Sequence, residues 1–276
     1  MNVKSALQNA QRLLQAAGVD GARRDARRLL AHCLDQPSAW LISHDDAQIE
    51  DAQQLRFENM VAERASHRPV SQIIGSREFW GQSFCVTRDT LDPRPETELL
   101  VEIALSLDLP KEAKVLDLGT GTGAIALALA SENPHWLITG VDKNTEAVKL
   151  ATHNGIELQL EWVNFIQSDW FSAIEQQQFN LIVTNPPYIE QNNQYLQQGD
   201  VRFEPSSALT SGVDGLDDIR LIVSKSKDYL ADNGWLVIEH GYQQSTDVAE
   251  ILRAHNFAHV RSELDLNGLP RVTLGS

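Results

Sequence analysis

Asn185-Pro186-Pro187-Tyr188 follows the apolar run Phe179-Asn180-Leu181-Ile182-Val183-Thr184, and its residue types suit chemistry on a planar nitrogen. An amide or aromatic amine delocalises its lone pair into a neighbouring π system. It is a poor nucleophile until hydrogen-bond acceptors hold its N–H groups and turn the lone pair outward. The Asn185 side-chain oxygen and the Pro186 carbonyl are two such acceptors, and proline restricts the directions in which such carbonyls point. Tyr188 can cover the flat group by stacking. Asn and Pro are also ordinary loop residues after a buried strand, so the four residues alone leave both readings open.

A second pattern lies upstream, Val115-Leu116-Asp117-Leu118-Gly119-Thr120-Gly121-Thr122-Gly123, followed by the alanine-rich Ala124 to Ala130. It reads as strand, glycine turn and helix. Glycines at 119, 121 and 123 permit positive φ and close approach of backbone to a ligand, and the free N–H groups of the following helix face the same place. A nucleoside-type cofactor suits such a turn. The dinucleotide fingerprint G-x-G-x-x-G places its third glycine at 124, where this chain has Ala, and no Gly-Lys-Ser/Thr follows to meet a triphosphate.

Two further acids stand at predicted strand ends. Asp142 closes the segment from Trp136 to Val141 and can accept both hydroxyl protons of a ribose, as an acid about 20 residues on does in dinucleotide folds. It also suits capping of the helix that begins near Asn144. Asp169-Trp170 closes Ile166-Gln167-Ser168. There the carboxylate can take an adenine amino proton and the indole can flank the ring, or the pair can serve as a helix cap and a core aromatic.

The elements that must position these residues follow from periodicity. Val3, Leu7, Ala10, Leu13, Leu14 and Ala17 recur at helical spacing, as do Ala26, Leu29, Leu30, Cys33 and Leu34, and later Leu55, Met60 and Val61. They predict a small helical bundle over residues 1–70. From Val70 to Asp92 the composition turns to β-type residues broken by Gly75, Gly81 and Pro93, which predicts a β-hairpin linker over 71–95. From 96 to 276 helices alternate with strands, predicted at 114–118, 136–141, 162–167, 179–184 and 235–239, with two more before the end. That alternation predicts an α/β fold whose parallel sheet is covered by helices, with ligands at the carboxyl ends of the strands. All four motifs fall at such ends, which argues for one site.

Composition prunes the function classes. The net charge is -15, yet residues 1–70 carry nine Lys or Arg and nine Asp or Glu, so the excess of acid, 14 basic against 29 acidic, lies in residues 71–276. That surface is a poor grip for polyphosphate, since nucleic-acid binding neutralises phosphates with basic patches. The Arg23-Arg24-x-x-Arg27-Arg28 cluster reads as the solvated face of an amphipathic helix. Cys33 and Cys85 make no disulfide framework and lack metal-ligand spacing, and both are expected to be buried thiols. No metal site is suggested by the eight scattered histidines, and His240 is expected to be structural. No apolar stretch approaches the ~20 residues of a membrane span and no signal segment is evident, so a cytoplasmic protein is expected.

Asp117-x-Gly119-x-Gly121-x-Gly123, Asp142, Asp169-Trp170 and Asn185-Pro186-Pro187-Tyr188, in this order and spacing, resemble the class I S-adenosylmethionine-dependent methyltransferases that modify nitrogen. More narrowly, the chain is similar to the release-factor glutamine methyltransferase family. The segments that carry this likeness are 73–81, Pro93-Arg94-Pro95-Glu96-Thr97-Glu98, Gln197-Gln198-Gly199-Asp200-Val201-Arg202-Phe203-Glu204-Pro205 and Arg271-Val272-Thr273-Leu274-Gly275. It covers residues 70–275 well and the first 70 loosely. Asp92 departs from it, standing where an aliphatic residue is expected.

The resemblance implies a Rossmann-like sheet of seven mostly parallel strands behind a helical substrate-recognition domain. It implies that Gly119, Thr120, Gly121, Thr122, Gly123, Asp142, Asp169, Trp170 and Asn185 bind S-adenosyl-L-methionine, with S-adenosyl-L-homocysteine as product. Asn185 and Pro186 would be catalytic, and Asn185, Pro186, Pro187 and Tyr188 would hold the substrate. That substrate would be the glutamine of the Gly-Gly-Gln motif in class 1 peptide chain release factors, which the N-terminal domain contacts, in support of translation termination. A monomer acting on protein, without direct nucleic-acid or membrane contact, is expected. Residues 191–205 would shape the entrance, with Arg202 and Glu204 as contacts. An adenine-amino methyltransferase on DNA or RNA is the alternative, since the same four residues suit that nitrogen, but it must capture a base and hold phosphates.

Overall fold

Apolar spacing in the first seventy residues produces the helices it predicts. The computed structural model describes residues 1–197 and 199–276; Gln198, within the segment 197–205, lies outside the described residues. Helix α1 (Val3–Ala16) is capped by Asn2, whose side chain accepts from Ser5 N, and it buries Val3, Ala6, Ala10 and Leu14. Helix α2 (Ala22–Leu34) buries Ala26, Leu29, Leu30 and Cys33 and leaves Arg23 and Arg24 exposed. The short α3 (Trp40–Ser43) and the longer α4 (Asp51–Ala65) close the core with Leu41, Phe57, Met60 and Val61.

Arg64 of α4 is buried between two carboxylates, its Nε 2.8 Å from Asp25 and its Nη1 2.7 Å from Asp200. Asp200 belongs to the segment 195–203, which forms one compact unit with residues 1–76.

The predicted hairpin begins later than Val70. Val70–Ile74 is a helical turn, α5, framed by Pro69 at its start and Gly75 at φ 83° at its end. Those boundary signals outweigh the local β preference of a Val and two Ile. The hairpin itself is β1 (Ser76–Phe79) and β2 (Gln82–Cys85), joined by Trp80 and Gly81, both at positive φ as a tight hairpin turn requires. Phe79 and Phe84 meet edge to face and join the core of residues 77–276, so these strands pack as part of that body. Cys33 is buried as expected, whereas Cys85 is only half-buried.

From α6 (Glu98–Ser106) onward the alternation is regular. The strands are β3 (Lys114–Leu118), β4 (Leu137–Asp142), β5 (Asn164–Gln167), β6 (Phe179–Thr184), β7 (Leu230–Glu239), β8 (Arg261–Leu264) and β9 (Pro270–Gly275). The intervening helices are α7 (Ala124–Glu132), α8 (Thr145–Glu157), α9 (Asp217–Tyr229) and α10 (Ser245–Ala254). The sheet order is β5-β4-β3-β6-β7-β9-β8; the first five strands are parallel, and β9 and β8 are antiparallel to their neighbours. The two central strands carry the apolar runs expected of strands covered on both faces, with Leu116, Leu118 and Ile182 in one core layer and Val115, Leu181 and Val183 in the other. The chain steps outward from β3 to β4 and β5, then returns to place β6 on the other side of β3. That reversal opens a crevice at the carboxyl ends of β3 and β6.

Candidate active site

Strand register brings the separate motifs to one level. Leu118 pairs with Val141 on β4 and with Thr184 on β6, and Thr184 pairs with Ile238 on β7. The next residues, Gly119, Asp142, Asn185 and Glu239, therefore leave four neighbouring strands side by side. The Thr184 hydroxyl donates to the Leu118 carbonyl at 2.8 Å and pins the central pair.

After β3 the backbone turns through Gly119 (φ 73°), Gly121 (φ 55°) and Gly123 (φ 81°), conformations that a side chain resists. Asp142 holds this turn, since its Oδ2 accepts from Gly121 N at 3.0 Å and its Oδ1 from Asn144 N at 2.9 Å. Burial raises the Asp142 pKa, and those same amides oppose the rise. Behind the turn Asp117 is fully buried and accepts the Thr120 hydroxyl at 2.6 Å, with burial pushing its carboxyl up to about 7. Trp170, at φ 50°, sets its ring against Gly119; a Cβ there would stand 3.4 Å from the indole. The indole N–H donates to Asp218 at 3.2 Å.

Asn185 presents its two ends differently. Its Nδ2 donates to the Thr97 hydroxyl at 3.1 Å, whereas its Oδ1 is buried and accepts no hydrogen bond. Glu239 is buried behind it, and burial pushes its carboxyl up to about 7 against the opposing pull of the Thr97 and Asn185 side chains and of Arg271. The Tyr188 hydroxyl points at Glu239 Oε1 from 3.5 Å, and burial raises its pKa. The Tyr188 carbonyl accepts from Gln244 Nε2 at 3.0 Å.

Gly119, Thr120, Gly121, Thr122, Asp142, Asp169, Trp170, Asn185 and Pro187 all line one cleft of about 930 Å³, part of it open to solvent. Gly123, Pro186 and Tyr188 are not among its lining residues. Gly123 packs instead, where a Cβ would meet Ala151, Leu127 and Phe165 at 3.1 Å. The Tyr188 ring packs into the core on one sheet face, so it anchors the loop rather than covering a ligand. Asp92, departing from the expected aliphatic residue, is buried in the cleft wall. Glu204 is buried in an ion pair with Arg94 at 2.5 Å, which removes it from the set of exposed contacts, while Arg202 is exposed. Thr97 and Glu239 carry no signal in the sequence beyond their places at a helix start and a strand end.

The pattern of donors and acceptors fits a nucleoside. The Asp142 carboxylate reaches the cleft with lone pairs to spare for vicinal hydroxyls, Trp170 offers a flat wall, and the glycine turn offers backbone without side chains. Comparison with known proteins agrees. Residues 5–75 match the PrmC N-terminal domain family, and residues 82–204 match the Methyltransferase small domain family. The release factor glutamine methyltransferase of Shewanella oneidensis is 47% identical over 94% of this chain and 91% of its own. That of Pseudomonas aeruginosa is 49% identical over 92% of each chain. The chain belongs to the release factor glutamine methyltransferase family. A solved methyltransferase from Pyrococcus furiosus shares the fold at 13% identity, with a TM-score of 0.54 over 79% of this chain and 98% of that one. As a member of this family the chain is a methyltransferase of the Rossmann-like α/β class. Among the described residues no helix is long and apolar enough to cross a membrane.

Proposed function

We propose that this methyltransferase uses S-adenosyl-L-methionine to methylate the side-chain amide nitrogen, N5, of the glutamine in the Gly-Gly-Gln motif of class 1 peptide chain release factors. The observation that carries the reading is the buried Asn185 Oδ1, an acceptor without a partner in a cleft that a nucleoside fits. A buried acceptor left unpaired costs about 1–3 kcal/mol, a cost that a substrate N–H removes on binding. Bound S-adenosyl-L-methionine supplies a sulfonium-activated methyl group. Gly119 to Thr122, Asp142, Asp169 and Trp170 would hold it, with S-adenosyl-L-homocysteine released afterwards.

Asn185 Oδ1 and the Pro186 carbonyl accept the two N–H groups of the substrate amide, turn its lone pair toward the cleft and stabilise positive charge on the nitrogen. The nitrogen becomes acidic as that charge develops, so its proton passes to water without a strong base. The acidic balance of residues 71–276 favours a protein amide over a nucleobase, whose phosphates would need basic partners. Residues 1–70 serve as the substrate-recognition domain of a cytoplasmic monomer and residues 71–95 as its linker.

The test is incubation with labelled S-adenosyl-L-methionine and either a release factor or nucleic acid, followed by location of the label. Label on the Gly-Gly-Gln glutamine is expected. Asn185→Ala is expected to abolish that labelling while cofactor affinity stays largely intact, and a near wild-type rate in this variant would sink the assignment.

A further inference from the structure

A helix N-cap needs one hydrogen-bond acceptor, and Ser, Thr or Asp supplies it as readily as Asn. Asn144 caps α8 in this way, its Oδ1 accepting from Glu146 N at 3.0 Å. The helix makes no use of its other end. That end, Nδ2, donates instead to the Asp89 carbonyl at 3.1 Å, 55 residues back in the chain. We propose that Asn144 is a positioning residue that holds the segment 89–92 as a wall of the cofactor cleft beside Asp142. This rests on the S-adenosyl-L-methionine reading given above.

Three observations carry it. First, residues 89–92 line the cleft together with Asp142 and Asn144. The Asn144 backbone joins the same corner, because its N–H donates to Asp142 Oδ1 at 2.9 Å. One residue thus fixes both the carboxylate that can meet ribose hydroxyls and a wall that shares its cleft. Second, the partners determine which way the Asn144 amide points. Glu146 N can only donate and the Asp89 carbonyl can only accept, so one orientation satisfies both. Asp in this place would lack the donor, and a Ser or Thr hydroxyl, one atom shorter, would have to serve both partners through a single oxygen. Capping alone therefore accounts for half of this side chain. Third, the wall does not satisfy its own polar groups. Thr90 is buried, and its hydroxyl has no hydrogen-bond partner among the described residues. An unpaired buried polar group is costly, so a segment that carries one depends on ties from outside it. Asn144 gives such a tie at Asp89, and Arg77 Nε gives another to the Pro93 carbonyl at 3.3 Å. A wall that is loose before binding must be ordered by the ligand, and that cost is taken from affinity.

Asn144→Ser and Asn144→Asp keep the cap and remove the tie to Asp89, whereas Asn144→Ala removes both. In the full-length protein the dissociation constant for S-adenosyl-L-methionine, read by calorimetry, is expected to rise about 3- to 10-fold in all three, the worth of one neutral hydrogen bond. The Asp variant adds a negative charge near a cationic sulfonium, so weaker binding there is not an effect of charge. With a release factor as substrate, KM for S-adenosyl-L-methionine should rise in step while kcat at saturating cofactor holds. The melting temperature should fall in Asn144→Ala alone, since Ser and Asp still cap. In the ligand-free protein, backbone hydrogen exchange over residues 86–92 should be faster in all three variants than in the wild type. A residue that served only as a cap would leave Asn144→Ser and Asn144→Asp at wild-type affinity. That result overturns the proposal, as does unchanged exchange in both. A wild-type protein that binds no S-adenosyl-L-methionine would overturn the cofactor reading instead, while the ligand-free exchange measurement still decides whether Asn144 holds the wall.

Discussion

Asp142 accepts the backbone proton of Gly121 at 3.0 Å, across the gap between β4 and the turn that follows β3. One carboxylate thus shapes the glycine turn and presents its remaining lone pairs to the cleft. Asp142→Ala removes both functions. Hydrogen bonds to charged groups are worth about 1.5–3 kcal/mol, so S-adenosyl-L-methionine should bind about 10- to 100-fold more weakly by calorimetry. Asp142→Asn, which keeps one acceptor, should lose less. Unchanged affinity in the alanine variant would remove Asp142 from the site.

Gly140 supports the same turn from below. A Cβ at this position would lie 2.6 Å from Phe165 Cε1 and 2.7 Å from Thr120 Oγ1, and Thr120 is the residue that donates to buried Asp117. Gly140→Ala therefore overfills the space between β4, β5 and the turn. Chemical denaturation should show a loss of about 1–3 kcal/mol, the usual cost of overpacking, with cofactor affinity falling as Thr120 shifts. An alanine variant of wild-type stability and affinity would mean that the turn yields freely.

The central strands β3 and β6 were legible because strands covered on both faces must be apolar throughout, and their boundaries match at 114–118 and 179–184. Strand β7 begins five residues before the predicted 235 because Ala231-Asp232-Asn233-Gly234 has the composition of a turn. A shift in register between Phe179 and Leu181 absorbs this polar stretch within the strand. The cleft residues that follow strands were legible for a similar reason, since a glycine turn or an acid after an apolar run has few other uses. Thr97 and Glu239 were hidden because their nearness to Asn185 depends on pairing between distant segments. Thr97 looks like a helix start, and Glu239 becomes a neighbour of Asn185 only when β6 and β7 align. His240, read as structural, bonds the Gly241 carbonyl through Nδ1 and Thr273 through Nε2.

Arg64 carries the ion pair that ties Asp200 of the 195–203 segment to the helical core, and its head is buried with Asp25 and Asp200 on either side. It also donates to the carbonyls of His67 and Arg68. Removing one partner of a buried pair leaves the other charge unpaired and costs about 3–5 kcal/mol. Arg64→Met should therefore lower the stability of the helical unit by that order, read from denaturant unfolding. It should also expose the exposed Arg202 site to faster tryptic cleavage. Equal cleavage rates in variant and wild type would show that Asp200 does not hold the segment.

Two buried carboxyls set the pH dependence of the ligand-free protein. Asp117 and Glu239 each titrate at about 7 in the fold, raised by burial from ordinary values of 3.8 and 4.5. Between those values the folded state keeps protons that the unfolded state has released. Their contribution to stability is therefore fully present below about pH 4 and is lost as pH rises through about 7. Asp142, also raised by burial, acts in the same direction. His240 is lowered by burial and acts oppositely, but its contribution is complete above its ordinary value of 6.5. From pH 6.5 to 8 the carboxyls decide the slope. Unfolding free energy should fall over that interval by up to ~1.4 kcal/mol per pH unit for each group. Asp117→Asn keeps an acceptor for Thr120 without a charge to bury, so it should flatten the slope and gain on the wild type at pH 8. An unchanged slope in this variant would mean that Asp117 is solvated well enough to ionise in the fold as it does in water.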